Sequence, residues 1–124
     1  MKWILALGAV ILSCSCISCS NSQVQAASST AGGDPIRGKD KIAYYGCGSC
    51  HTIPGVVGAS GLVGPPLTGV GNRVYIAGIL LNNSENIARW IEDPQAVNRL
   101  TVMPNVHATP EDARDMADYL STLR

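Results

Sequence analysis

The chain has 124 residues, of which 46% are hydrophobic, and nine basic residues balance nine acidic ones. A chain of this length predicts one domain with a small core. The basic residues form no stripe along the sequence, which argues against a nucleic-acid-binding protein. Lysines are scarce, since only Lys39 and Lys41 follow Lys2. A strongly positive docking surface would therefore have to be built from scattered arginines.

Residues 1–26 are predicted to be an export signal. Lys2 is followed by an apolar run from Trp3 to Leu12, and then by small and polar residues up to Ala26. This order is typical of a signal peptide, and the run is about half of the ~20 residues that a membrane-spanning helix needs. A buried core helix suits the segment less well, because a stretch rich in Ser, Gln and Ala follows it. The pattern favours cleavage after Ala26.

Three of the five cysteines follow the apolar run directly, and they offer an alternative to this cleavage. Bacterial lipoprotein signals also end in small residues before a cysteine, which then carries the lipid. The sequence up to Cys14 resembles that pattern except at Leu12. A lipid tether through Cys14, Cys16 or Cys19 is therefore the second interpretation. Under both interpretations the protein is exported, to the periplasm or to the outer face of the cytoplasmic membrane.

Residues 27–33 have the composition of a flexible linker, and residues 34–124 are predicted to form the single domain. Asp34 is suited to cap a helix that has Pro35 in its first position, where the missing N–H is harmless. We expect this first helix to run toward Tyr45 and to deliver the chain to the motif that follows.

The motif is CGSCH at residues 47–51, two cysteines separated by two residues and followed by a histidine. This spacing is a haem-attachment signature. We expect Cys47 and Cys50 each to form a thioether with one haem vinyl group, and His51 to be the proximal iron ligand. A thioredoxin-like dithiol would need a preceding strand, and a zinc site would need a second pair of ligands, whereas only His107 remains in the body of the chain. The motif predicts one covalently attached haem c, which replaces disulfides as the cross-link of a small domain.

The middle of the chain, residues 52–83, is rich in glycine and proline, which predicts loops. So long a loop region is unusual in a small domain, but a buried haem supplies the core on which the loops pack. Within this region, we expect Arg73 to Leu81 to form a short helical turn with Ile76, Ile79 and Leu80 facing inward.

Two further helices are predicted. One is capped near Asn83 or Ser84 and ends at the Asp-Pro pair of residues 93–94. The other begins at Thr109, with Pro110 in the first helical position. Because no segment predicts a strand, the expected fold is all-α: a single domain with three main helices and loops around the covalently bound haem.

Three residues after the motif are candidates for the second axial ligand of the iron. Met116 falls on the apolar face of the last helix, where methionine more often packs in a core. His107 binds iron readily, but its place before the Thr109 cap is typical of an exposed loop histidine. Met103 lies in a loop beside Pro104, which stiffens the chain. Since Met/His ligation is an established haem arrangement, the sequence favours Met103.

The chain resembles the small class I c-type cytochromes of bacteria. The resemblance covers about residues 34–123 and depends on CGSCH, GPPL at residues 64–67 and MPN at residues 103–105, in that order. The chain is also similar to the cytochrome c domains attached to subunit II of some haem-copper oxidases, above all in NIARWIEDPQ and MPN. The resemblance implies that Gly38 and Tyr119 lie where the first and last helices cross.

The same resemblance implies roles for three residues around the haem. The carbonyl of Pro65 should accept the ring N–H of His51, which fixes the imidazole tautomer. Arg73 and Trp90 should be the partners of the haem propionates. The lysine ring of mitochondrial cytochrome c is absent from this sequence, which leaves the identity of the partner open.

These observations lead to the hypothesis of a one-electron carrier, not an enzyme, that cycles Fe(III)/Fe(II) with His51 and Met103 as axial ligands. The expected partners are redox proteins: a respiratory dehydrogenase or bc-type complex as donor, and a terminal oxidase or reductase as acceptor. We expect a free carrier to be a monomer. One alternative is a membrane-tethered subunit or module of a larger redox complex. Another is a haem sensor or peroxidase, which needs a vacant sixth position and which Met103 argues against.

Overall fold

The computed structural model describes residues 32–124, which form four α-helices and one two-stranded antiparallel sheet. The predicted export signal, residues 1–26, and most of the predicted linker lie outside the described residues. Within residues 32–124, no helix is long and apolar enough to cross a membrane. The structure confirms the all-α fold class, because the sheet has only two residues in each strand.

The first and last helices begin where their caps predict. Helix α1 spans Pro35–Tyr44, and the side chain of Asp34 accepts hydrogen bonds from its first free N–H groups. Helix α4 spans Pro110–Thr122, and Thr109 caps it in the same way. In both helices proline occupies the first turn, where no N–H has an intrahelical partner.

Helix α2 spans Ser84–Glu92 and is capped by Asn83, as the sequence predicts. It ends at Asp93, but the chain does not pass into a loop there. A further short helix, α3, spans Pro94–Val97. Asp93 ends α2 and also caps α3, because its side chain accepts the N–H of Ala96 at 3.1 Å.

The helical turn predicted over Arg73–Leu81 is wrong. The segment is a hairpin in which strand β1, Tyr75–Ile76, pairs with strand β2, Leu80–Leu81. The reason lies at the tip, where Ala77 and Gly78 both have positive φ, 52° and 76°. Two successive residues in the left-handed region reverse the chain and match the twist of a hairpin.

This hairpin also changes which side chains face inward. Ile76 is buried and Leu80 is half-buried, as predicted, but Ile79 is 56% exposed. Ile79 donates its N–H to the carbonyl of Ile76 at 3.1 Å, which closes the turn and leaves the Ile79 side chain at the surface.

Helices α1 and α4 pack against each other with almost no space between their backbones at Gly38. A Cβ atom at Gly38 would lie 1.9 Å from the carbonyl oxygen of Asp115 on α4. Only glycine permits this approach. Helix α2 packs on the same helix α4. The buried apolar side chains between these helices and the loops are Ile42, Ile53, Val56, Ala59, Val70, Ile76, Ile87, Ala88, Ile91, Ala113, Met116, Ala117 and Leu120.

Polar side chains join α1 to α4 beside this crossing. Arg37 donates two hydrogen bonds to Asp115, at 2.8 and 3.0 Å, and Asp115 is only 1% exposed. One turn further, Lys41 and Tyr45 both contact the carboxylate of Asp112, at 2.9 and 2.8 Å. Burial raises the pKa of Asp112, but the hydrogen bonds from Lys41 and Tyr45 outweigh it, so that its pKa lies below its usual value.

Gly38→Ala should destabilise the protein by about 2 kcal/mol or more, because the new methyl group must push the two helix backbones apart. The free energy of unfolding, measured by chemical denaturation, checks this. Lys39→Ala on the exposed side of α1 is the matched control and should change stability by less than about 0.5 kcal/mol. Equal stability of the two variants would show that the helices do not meet at Gly38.

Asp112→Asn should lower the unfolding temperature at neutral pH by a few degrees, and this deficit should shrink in acid. The lowered pKa of Asp112 means that its carboxylate stabilises the fold above the unfolded-state pKa of about 3.9, and that this contribution is lost as the pH falls through the lower folded-state value. Thermal unfolding of both proteins between neutral pH and about pH 3 measures the difference. A deficit that stays constant over this range would contradict the assignment.

Candidate functional site

The CGSCH segment folds as one turn of 3₁₀ helix, Cys47–Ser49, directly after α1. Gly46 turns the chain into it with a φ of 70°, a conformation that glycine adopts at little cost. The N–H groups of Cys50 and His51 both donate to the carbonyl of Cys47, at 3.2 and 3.0 Å. This turn brings the two cysteines and the imidazole to the wall of one cavity.

Both thiols are free and half-buried, so each is available for a thioether bond. Burial raises the pKa of the Cys47 thiol. The turn packs tightly on the following loop, because a Cβ atom at Gly48 would lie 2.7 Å from the Cα of Ala59. Among residues 32–124, no three His, Cys, Asp or Glu side chains are grouped so that they could hold a metal ion, and a zinc site built around CGSCH therefore lacks partners there.

The structure brings His51 and Pro65 together. The Nδ1 atom of His51 lies 2.7 Å from the carbonyl oxygen of Pro65, so that a proton on Nδ1 is donated to this carbonyl. The other ring nitrogen, Nε2, is then the one with a free lone pair for a metal. The imidazole also lies directly on the backbone of Gly64, where a Cβ atom would be 2.3 Å from Cε1. Sequence reasoning missed this contact, although a glycine before the Pro-Pro pair was its signal.

The cavity has a volume of about 320 Å³, which lies within the range of small-molecule sites in proteins. Its walls come from helices α1, α2 and α4, the hairpin and the loops, and they are almost entirely apolar. Arg73 is the one Lys, Arg, Asp or Glu side chain in the lining, as far as the described residues extend. The seven residues that the sequence favours as haem-binding groups all line this cavity: Cys47, Cys50, His51, Pro65, Arg73, Trp90 and Met103.

Arg73 and Trp90 approach the cavity from different elements. Arg73 precedes strand β1 and donates a hydrogen bond from its guanidinium to the carbonyl of Pro66, which holds its side chain beside the Pro-Pro segment. Trp90 lies half-buried on α2 and packs against the core. Their contact with haem propionates stays a prediction.

The three candidates for the second axial ligand have different places in the structure. Met103 is half-buried and lines the cavity from the loop between α3 and α4. Met116 also lines the cavity, but it is fully buried within the core. His107 is exposed and is not part of the lining. Its φ of 57° is stabilised by Asn105, whose side chain accepts the His107 N–H at 2.8 Å.

Tyr119 on helix α4 holds the loop that follows the motif. Its hydroxyl donates to the carbonyl of Pro54 at 2.6 Å, and a Cβ atom at Gly55 would collide with it. Helix α4 therefore supports the motif loop at Tyr119 while it meets α1 at Gly38.

The family model described as Cytochrome c matches residues 36–124, which includes every residue of the cavity wall. The chain belongs to the cytochrome c family. It therefore carries a covalently bound haem c and transfers electrons through it. The described residues of this cytochrome c domain suit the cofactor, because two free thiols, one oriented imidazole and apolar walls surround a single cavity.

Two curated relatives are both named cytochrome c oxidase subunit 2. The protein from Alkalihalophilus pseudofirmus is 36% identical over 89 residues, which is 71% of this chain and 25% of the relative. The protein from a Bacillus species is 30% identical over 96 residues, which is 73% of this chain and 27% of the relative. The chain thus spans about a quarter of the length of these relatives. A search of solved structures gave no significant match.

Gly64→Ala should displace the imidazole of His51 and lengthen its bond to Pro65, because the added methyl group would occupy the position of the ring. We expect less haem per purified protein and, in the loaded fraction, a changed reduction potential. Leu62→Ala, at a side chain 85% exposed, is the control and should match the wild type. Wild-type haem content and potential in Gly64→Ala would contradict the close contact.

Proposed function

We propose that this cytochrome c domain is a one-electron carrier whose haem iron is held by His51 and Met103. The observation that carries the proposal is that both residues line the same apolar cavity as the two free thiols. When bound, the haem supplies the Fe(III)/Fe(II) couple, and a methionine ligand raises its potential. Two protein ligands leave no open position for a substrate, so the protein carries electrons and is not itself an enzyme.

The chain's own residues account for the features that a carrier needs. The carbonyl of Pro65 fixes the His51 ring, so that the imidazole does not rotate when the charge on the iron changes. Around the bound haem, the apolar lining leaves few polar groups to reorient when the charge on the iron changes. This keeps the reorganisation energy of electron transfer small. Val63 and Val102 line the cavity and are nevertheless 75% and 86% exposed, which makes the rim beside them the place for a partner to approach.

The proposed setting is outside the cytoplasm, in the periplasm or on the outer face of the cytoplasmic membrane. The donor would be a respiratory dehydrogenase or a bc-type complex, and the acceptor a terminal oxidase or reductase. The names of the two relatives support an oxidase as the acceptor. A transient protein–protein interface of modest area suits electron transfer between such partners.

A second proposal is a fixed module of a larger redox complex, tethered by lipid or by protein contacts. It is favoured by the relatives, in which the matching segment is about a quarter of a longer chain. Extraction of the protein from native membranes distinguishes the two proposals. A free carrier is released into buffer without detergent, whereas a module is released only with detergent and copurifies with the larger complex.

Met103→Leu should abolish the weak far-red absorption band of the ferric protein that is typical of a methionine-ligated haem, and it should allow carbon monoxide to bind the ferrous protein. Met116→Leu is the matched control, since Met116 lines the same cavity from within the core. It should keep the band and exclude carbon monoxide.

If the band were lost only in Met116→Leu, the second axial ligand would be Met116 on α4 and not Met103. A wild-type protein without the band would contradict methionine ligation altogether. Visible spectroscopy of the purified, haem-loaded proteins at neutral pH makes both comparisons.

A further inference from the structure

The loop that carries Met103 has little backbone support of its own. Within residues 32–124, no backbone–backbone hydrogen bond involves residues 102–108. Pro104 also lacks an N–H with which to make one. The hydrogen bonds that the backbone of this loop makes come instead from side chains.

Two such bonds hold the backbone of Met103 itself. Its N–H donates to the hydroxyl of Thr101 at 3.2 Å, and its carbonyl accepts the side-chain N–H of Gln95 at 2.7 Å. Thr101 is only two residues away in the same loop. Gln95 belongs to helix α3, so its bond is the one that joins Met103 to a helix.

Helix α3 is short but firmly placed. Asp93 caps its first turn, and Pro94 is among the most buried side chains of the domain. The N–H of Asn98 donates back to the carbonyl of Pro94 at 2.8 Å and closes the helix. The Gln95 amide is half-buried, which limits competition from water for its bond to Met103.

We propose that Gln95 is a positioning residue that keeps Met103 on the haem iron. This inference rests on the proposed ligation by Met103. The Gln95 amide holds the Met103 carbonyl to α3, so that the thioether is oriented before it binds. Without this bond the loop opens more readily, and an external ligand reaches the iron more easily.

The test is the affinity of imidazole for the ferric, haem-loaded protein, measured from the change that imidazole causes in the main visible absorption band of the haem, which every variant has. Gln95→Leu, which removes the donor, should bind imidazole about three- to tenfold more tightly than wild type, the effect of one hydrogen bond. Gln95→Glu keeps the shape but presents an acceptor to the carbonyl, and should bind imidazole at least as tightly as Gln95→Leu. Both variants should retain the far-red band without imidazole.

Asn86→Ala is the matched control, because it removes the same kind of bond, from a side-chain amide to the carbonyl of Leu81 at 2.9 Å, away from the Met103 loop. Its imidazole affinity should equal that of wild type. If Asn86→Ala instead bound imidazole as tightly as Gln95→Leu does, the effect would come from a general loss of rigidity in the domain. That result would overturn the proposal.

The same titration of Met103→Leu distinguishes the role of Gln95 as a positioning residue from the ligation of the iron by Met103. If it binds imidazole far more tightly than wild type while the Gln95 variants do not, only the role of Gln95 is wrong. If it binds imidazole as weakly as wild type, Met103 is not the ligand and both proposals fail.

Discussion

An apolar cavity of about 320 Å³ lies where a domain of this size would otherwise place the centre of its core, and the haem must fill it. Left empty, its apolar walls would lose the packing contacts that a core side chain normally makes. Water in the cavity would instead leave its apolar walls hydrated. The loops from residues 52 to 83, too rich in glycine and proline to build a core alone, gain a surface to pack on when the cofactor is present.

The helices form a frame, and the loops bring the haem-binding groups to it. Helices α1 and α4 meet through Gly38 and are joined by ion pairs beside the crossing. Hydrogen bonds from side chains on α4 and α3 help to hold two of the loops. Tyr119 holds the loop after the motif through Pro54, and Gln95 holds the loop of Met103. A rigid frame with locally anchored loops suits electron transfer, which requires that the ligands move little as the iron changes charge.

The sequence predicted those parts of the fold that local chemistry determines. The caps at Asp34 and Thr109 and the prolines after them locate two helices, and CGSCH predicts the haem, because each signal lies within a few adjacent residues. The hairpin was missed because its apolar spacing also suits a helical turn. The positive φ at Ala77, a residue that rarely adopts it, cannot be read from composition.

Contacts between distant segments were harder to predict. The close approach of Gly64 to His51 and the bond from Gln95 to Met103 depend on how the loops are arranged in space. Pro65 could be placed against His51 only through the family resemblance. Helix α3 was missed because Asp93-Pro94 signals the end of one helix as strongly as the start of another.

The central claim, that the haem completes the core, is tested most directly by chemical unfolding of the Cys47→Ala/Cys50→Ala chain purified free of haem, beside the haem-loaded wild type. Circular dichroism should show a cooperative transition for the loaded protein and a broad, non-cooperative one, with less helix, for the haem-free chain. A cooperative transition in the haem-free chain, with the same midpoint as the loaded protein, would contradict the account.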